Sequence, residues 1–205
     1  MNMYTLMKPI EIREELKKRN IKIFTPDIFS RTFQISSYKT KYFLERQAKS
    51  GFLLRLKQGL YTLKTDLPSE EEIANALYKP SYISFEYALA YYGIIPEMPY
   101  TVTSATTKPT RTFTVHDKVF FYHSIKKEAF TGYALIKNQD KSMLIAEPEK
   151  ALVDYFYFVM LNKIPKNDRL IINVNKINKD KVFQYVSLYG NRSSKNVTDL
   201  LKTIL

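Results

Sequence analysis

The sequence holds two histidines, His116 and His123, and no cysteine. That excludes disulfide frameworks, cysteine-ligated zinc or iron–sulfur centres and any cysteine nucleophile. The histidines lie seven residues apart on two expected strands with a turn between them, and no third ligand of suitable type accompanies them, so no metal site is expected. The densest acidic group, Glu147, Glu149 and Asp154 with Lys150, superficially resembles the carboxylate–lysine set of a divalent-metal nuclease. Such a set alternates along a strand so that acid and lysine point to one side. Here Glu149 and Lys150 are adjacent on an expected helix opened by Pro148, where first-turn acids complement the helix dipole and Lys150 can pair with Asp154 at i,i+4. The glycines, Gly51, Gly59, Gly93, Gly132 and Gly190, form no G-x-G phosphate loop, and no serine sits in a G-x-S-x-G elbow. Neither an enzyme nor a cofactor is expected.

The cations say more. The 205 residues carry 32 Lys+Arg against 20 Asp+Glu, a net charge of +12. Residues 1–64 hold 14 and 5 of these, a net of +9, and the rest hold 18 and 15, a net of +3. Most of the excess positive charge therefore belongs to the first third of the chain, as in a small module that meets nucleic acid joined to a larger one that does not depend on it. With 45% hydrophobic and 25% charged residues, the chain has enough apolar material for a core. Its first ten residues lack a basic start and a long apolar run, and a soluble, cytoplasmic protein without a membrane segment is expected.

Positioning these cations requires definite elements. Periodicity predicts a helix over 8–19 and, after the cap and first-turn proline of Thr25-Pro26-Asp27, a second over 26–32. A third is capped by Ser36 or Ser37 and stopped near Gly51. Phe52–Leu56 and Leu60–Leu63 then read as two strands about a glycine-bearing turn. Three helices and a hairpin within about 64 basic residues make a winged helix-turn-helix. On the third helix Thr40, Leu44, Gln47/Ala48 and Gly51 are expected to face inward. Lys39, Tyr42, Arg46 and Lys49, at i, i+3, i+7 and i+10, form a basic outer face suited to a major groove. With Ser37 at the helix start and Arg55 and Lys57 on the wing, they are the expected DNA contacts.

A polar stretch at 64–68, followed by Ser69 and Glu72 in capping-box spacing, marks the boundary to a second domain over 69–205. There helices are expected at 69–78, 84–92, 146–162, 178–189 and 194–204. Strands are expected at 100–104, 111–115, 119–123, 133–136 and 170–174. In the helix at 146–162, Ala151, Leu152, Tyr155, Phe156 and Val159 make the apolar face. The fold class is α+β: a winged helix followed by a larger mixed α/β domain.

Several segments carry a resemblance. Gly51-Phe-Leu-Leu-Arg-Leu-Lys-Gln-Gly-Leu-Tyr61, Pro80-Ser-Tyr-Ile-Ser-Phe-Glu-Tyr-Ala-Leu89 leading to Tyr92-Gly-Ile94, Thr101-Val-Thr-Ser-Ala105 and Ala146-Glu-Pro-Glu-Lys-Ala-Leu-Val-Asp154 are similar to the AbiEi family, the antitoxins of type IV abortive-infection toxin–antitoxin systems. The likeness spans most of 25–160. The wing departs from it in reading Lys57-Gln-Gly59 where the family often has an arginine before the glycine. The resemblance implies a winged helix that represses its own operon and a C-terminal domain that counters a nucleotidyltransferase-type toxin without a stable complex with it. One winged helix buries little surface, so double-stranded promoter DNA with repeated half-sites is the expected partner. An ordinary winged-helix regulator, whose second domain senses a ligand or dimerises, is the alternative; a nucleic-acid-processing enzyme would need metal-dependent turnover lost on Glu149→Ala.

Overall fold

A computed structural model describes residues 8–138, 141–167, 169–171 and 177–204. The chain is mixed α+β and divides into two compact units, Met1–Ser69 and Glu70–Leu205. No helix among the described residues is long and apolar enough to cross a membrane.

The first unit runs α1 (Pro9–Lys18), β1 (Ile23–Phe24), α2 (Pro26–Phe33), α3 (Ser37–Lys49), β2 (Leu53–Lys57) and β3 (Leu60–Leu63). The three strands form an antiparallel sheet in the order β1-β3-β2, the arrangement of a winged helix-turn-helix. Sequence reading had no place for β1, because two residues are too few to show alternation. Ile12 and Leu16 of α1, Phe24, Phe29, Leu44, Leu53, Tyr61 and Leu63 make one core. Within it Phe29 touches Phe24, Phe33 and Phe43 at centroid distances of 5.6, 4.4 and 5.7 Å. Asp66 takes a two-pronged hydrogen bond from Arg13, Nε to Oδ2 at 2.6 Å and Nη2 to Oδ1 at 3.1 Å, and an ion pair with Lys17 at 2.5 Å. These bonds, first Arg13 and then Lys17, hold the Asp66 carboxyl well below the usual carboxylate range. The polar stretch expected as a linker is thus tied onto α1.

The second unit contains α4 (Glu70–Leu77), β4 (Ser81–Ile83), α5 (Phe85–Tyr91), β5 (Val102–Thr106), β6 (Arg111–Val115), β7 (Lys118–Ser124), β8 (Tyr133–Asn138), β9 (Lys141–Ala146), α6 (Pro148–Met160), α7 (Lys179–Ser187) and α8 (Asn191–Ile204). Its strands form one mixed sheet, β6-β7-β5-β4-β9-β8, in which β5/β7 and β4/β9 are parallel and the other neighbours antiparallel. Paired residues share a face, so Tyr82, Ala105 and His123 point one way, toward α5 and α6, while Ser104 and Tyr122 point toward α4. Strand β5 starts two residues later than expected, and β4 and β9 were not foreseen. Leu170 and Ile171 belong to no strand, and Ile171 N–H donates to the Ile94 carbonyl at 2.8 Å; residues 172–174 of that expected strand lie outside the described residues.

Strand β4 is short and pairs with β9 only at Ile83 and Ile145. Beside it Asn75 of α4 completes the ladder with its side chain: Nδ2 donates to the Leu144 carbonyl at 3.2 Å and Oδ1 accepts from Leu144 N–H at 2.7 Å. An amide side chain thereby stands where a peptide group of β4 would otherwise pair.

Helix α6 is buried on nearly all sides rather than along one face. Glu149 to Phe156 and Phe158 are all buried, whereas Val159, expected in the apolar face, is half-buried. The helix packs against α5, α7 and α8, and among the residues buried there are Lys150 and Asp154, each 0% exposed. They form the ion pair expected from their spacing. Asp154 also accepts from Ser84 Oγ at 2.8 Å, Tyr82 OH at 3.1 Å and Tyr189 OH, while Lys150 Nζ donates to Tyr189 OH at 3.2 Å. Burial lowers the Lys150 ammonium against the opposing pull of Asp154. It also pushes the Tyr82 and Tyr189 hydroxyls far up, with the Asp154 charge adding to the effect. Gly132, at φ +72°, leaves room for this helix start: a Cβ there would lie 2.7 Å from the Tyr185 ring and 3.0 Å from Lys150 Cγ.

Removing one charge of a buried pair leaves the other uncompensated, so Asp154→Asn is expected to cost about 3–5 kcal/mol in urea unfolding. Lys150→Met combined with Asp154→Leu should cost less than that single change.

His123 packs among Phe85, Phe121 and Phe158 at 4.5, 4.5 and 4.8 Å. Burial first, then the Lys163 charge, lowers it from the usual 6.5 to about 4. The folded state resists the proton that the unfolded chain accepts, so His123 takes nothing from stability above pH 6.5 and lowers it progressively as pH falls toward 4, by about 3 kcal/mol in full. Urea midpoints measured from pH 7 to 5 should therefore fall, and His123→Leu should flatten that fall.

Candidate nucleic-acid interface

Helix α3 follows a tight turn from α2 and closes at Gly51. Ahead of it α2 begins at Thr25, whose Oγ1 accepts from Ile28 N–H at 3.3 Å, and ends at Gln34 in the left-handed region, φ +54°. Ser36 occupies the N-cap position of α3 but makes no side-chain cap bond, and Ser37 is the first helical residue. At the other end Gly51, φ +82°, permits a paired closure in which Gly51 N–H donates to Ala48 O at 3.3 Å and Phe52 N–H to Gln47 O at 3.1 Å. Thr40 and Leu44 are fully buried, Gln47 and Ala48 half-buried. Gly51, expected to face inward, is exposed because it turns the chain out of the helix and into β2.

The remaining face looks to solvent. Ser37, Tyr42, Arg46 and Lys49 are exposed and Lys39 is half-buried. On the wing Arg55 is exposed and Lys57 half-buried, separated by a register shift that places Leu56 in an unmatched position. Lys49 and Arg55 flank one concavity: with Glu45 and Ala48 they line a shallow opening of about 360 Å³ between α3 and β2. Ser37 and Lys39 sit at the opposite end, because twelve residue steps separate Ser37 from Lys49, about 18 Å at 1.5 Å each. Lys39, Tyr42, Arg46 and Lys49 therefore form a strip whose Lys49 end is flanked by Arg55 of the wing, while Ser37 lies at the far end on the side of the helix that carries Leu44.

Two exposed side chains on or beside the strip escaped the sequence reading, Tyr38 and Lys41. The i, i+3, i+7 count starting at Lys39 passed over both. Glu45 adds the only carboxylate of α3, next to the wing.

In the second unit the acids do not converge. Glu147, at the N-cap of α6, accepts from Lys181 Nζ at 3.0 Å and Tyr185 OH at 2.9 Å, and the Lys181 bond outweighs burial in lowering its pKa. Glu149 accepts from Asn178 N–H at 3.0 Å, and Asp154 is enclosed as described. His116 lies exposed in the β6–β7 turn while His123 is buried further along β7, so the two do not meet. No group of three metal-ligating side chains occurs among the described residues.

No protein-family model matches the chain, and no curated protein matches it.

If the strip contacts several phosphates, the affinity of the full chain for duplex DNA should fall with salt at a slope of about −0.9 per contact on a log–log plot. Lys57→Ala should weaken all sequences alike and make that slope shallower by about 1, whereas Arg46→Ala should cost about 1–3 kcal/mol and relax sequence preference. Gel-shift titrations in which the full chain ignores duplex DNA at low salt would refute the interface.

Proposed function

We propose that this chain is a sequence-specific binder of double-stranded DNA that represses its own operon, and that its second unit is the antitoxin of a type IV toxin–antitoxin pair directed against a nucleotidyltransferase-type toxin. The observation that carries the DNA-binding half is the exposed cationic strip of α3, flanked at Lys49 by Arg55 of the wing. Long donors on such a strip reach phosphates and base edges of a major groove, and the excess charge of the first 64 residues strengthens the attraction. The antitoxin half rests on the likeness of the segments at 80–94, 101–105 and 146–154 to the AbiEi family. Catalysis is not part of this reading: Lys150 and Asp154 are sealed in a core, and Glu147 and Glu149 bind α7 and the residue that caps it. The chain acts in the cytoplasm and needs no cofactor.

Co-expression with the toxin of the adjacent gene tests both halves. Lys39→Ala/Arg46→Ala in the full chain should lose promoter repression yet restore growth, and residues 69–205 alone should behave in the same way. A folded, abundant Lys39→Ala/Arg46→Ala chain that fails to restore growth would overturn this division of labour.

A further inference from the structure

The first turn of α3 holds an aromatic ring that folding does not use. Tyr38 is 85% exposed, against 59% for Tyr42 one turn later. Among the described residues nothing stacks on Tyr38 or hydrogen-bonds to its hydroxyl. Residues at i and i+4 are neighbours on a helix surface, so Tyr38 and Tyr42 form one aromatic step between Lys39 and Lys41.

Composition narrows what this end of the helix can read. The side chains with a planar, two-pronged hydrogen-bonding group are Arg, which reads guanine, and Asn or Gln, which read adenine. From Ser37 to Tyr42, Ser-Tyr-Lys-Thr-Lys-Tyr, there is no Arg, Asn or Gln; Thr40 is buried, and the lysines are flexible point charges suited to phosphate. The ring of Tyr38 is then the large base-facing group at the end of the helix that, in helix-turn-helix proteins, meets base edges. Apart from donors and acceptors, the major-groove edge offers an aromatic ring one apolar group, the 5-methyl of thymine.

We propose that Tyr38, supported by Tyr42, determines specificity by packing on thymine methyl groups, so that each half-site carries A·T pairs at this end. The inference rests on the reading of α3 as a helix that enters the major groove. Eight residue steps separate Tyr38 from Arg46, about 12 Å, so the thymines lie about three to four base pairs from the pair that Arg46 contacts.

The test uses the full chain and duplexes enriched by it from a random library. Each thymine of the enriched half-site is replaced in turn by deoxyuridine, which removes the methyl and leaves pairing intact. Affinity should fall about fourfold at one or two positions, the worth of one methyl-sized group withdrawn from an apolar contact. Tyr38→Phe should keep this sensitivity and Tyr38→Ala should lose it, with unchanged thermal unfolding because the ring contributes nothing to the core. Enrichment followed by indifference to uracil at every position overturns the inference and leaves the DNA-binding reading standing. So does a sensitivity that survives Tyr38→Ala, or a Tyr38→Phe chain weakened uniformly on all duplexes, which would assign the hydroxyl to a phosphate. Failure to enrich any sequence overturns both.

Discussion

The second unit depends on one buried charge pair. Lys150 and Asp154 share a helix turn, but the groups that make their burial tolerable come from elsewhere: Tyr82 and Ser84 from β4 and the residue after it, and Tyr189 from the turn that follows α7. An ammonium and a carboxylate removed from water are each costly unless every proton and lone pair finds a partner. The network therefore ties the centre of the sheet, the helix at its back and the C-terminal helices into one arrangement. Gly132 belongs to the same constraint, since any side chain there would press on Lys150 and Tyr185 together. Fixing these parts leaves the unit few alternative packings of α6, whose otherwise apolar and aromatic surface could slide more freely.

In the first unit the determining constraint is different. Its core is aromatic and local, with Phe29 of α2 as the hub, and the turn between α2 and α3 is closed by left-handed Gln34 and by Ile35 N–H donating to Ser30 O at 3.1 Å. Inner-face burial of Thr40 and Leu44 then fixes which side of α3 faces out. The cations of α3 are carried on the side of the helix that this burial turns outward.

How much of this could be read in advance depended on how local the cause was. Helix α3 was legible to within a residue at each end because its signals, Ser36 and Gly51, lie at its own ends. Strand β6 was legible in full because it pairs with the next strand in sequence through a tight turn. Strand β4 was not, since its partners come later in the chain and three buried residues show no alternation; β9 was missed although it pairs with the strand before it, because Lys-Ser followed by Met-Leu-Ile-Ala does not alternate. The pairing of Lys150 with Asp154 followed from i,i+4 spacing, yet its depth did not, because Tyr82 and Tyr189 approach from 72 and 39 residues away. Tyr38 was passed over because the spacing count along α3 began at Lys39, one residue after it.

Asn75 carries a consequence for how this sheet tolerates change. A side chain that both donates to a carbonyl and accepts from an N–H with peptide-like spacing has to be a carboxamide. An aspartate of the same size would turn a lone pair toward the Leu144 oxygen, and a leucine would leave both backbone groups dry. Polarity as well as size therefore decides what fits at that position, and two backbone bonds of β9 are made by a residue that belongs to a helix.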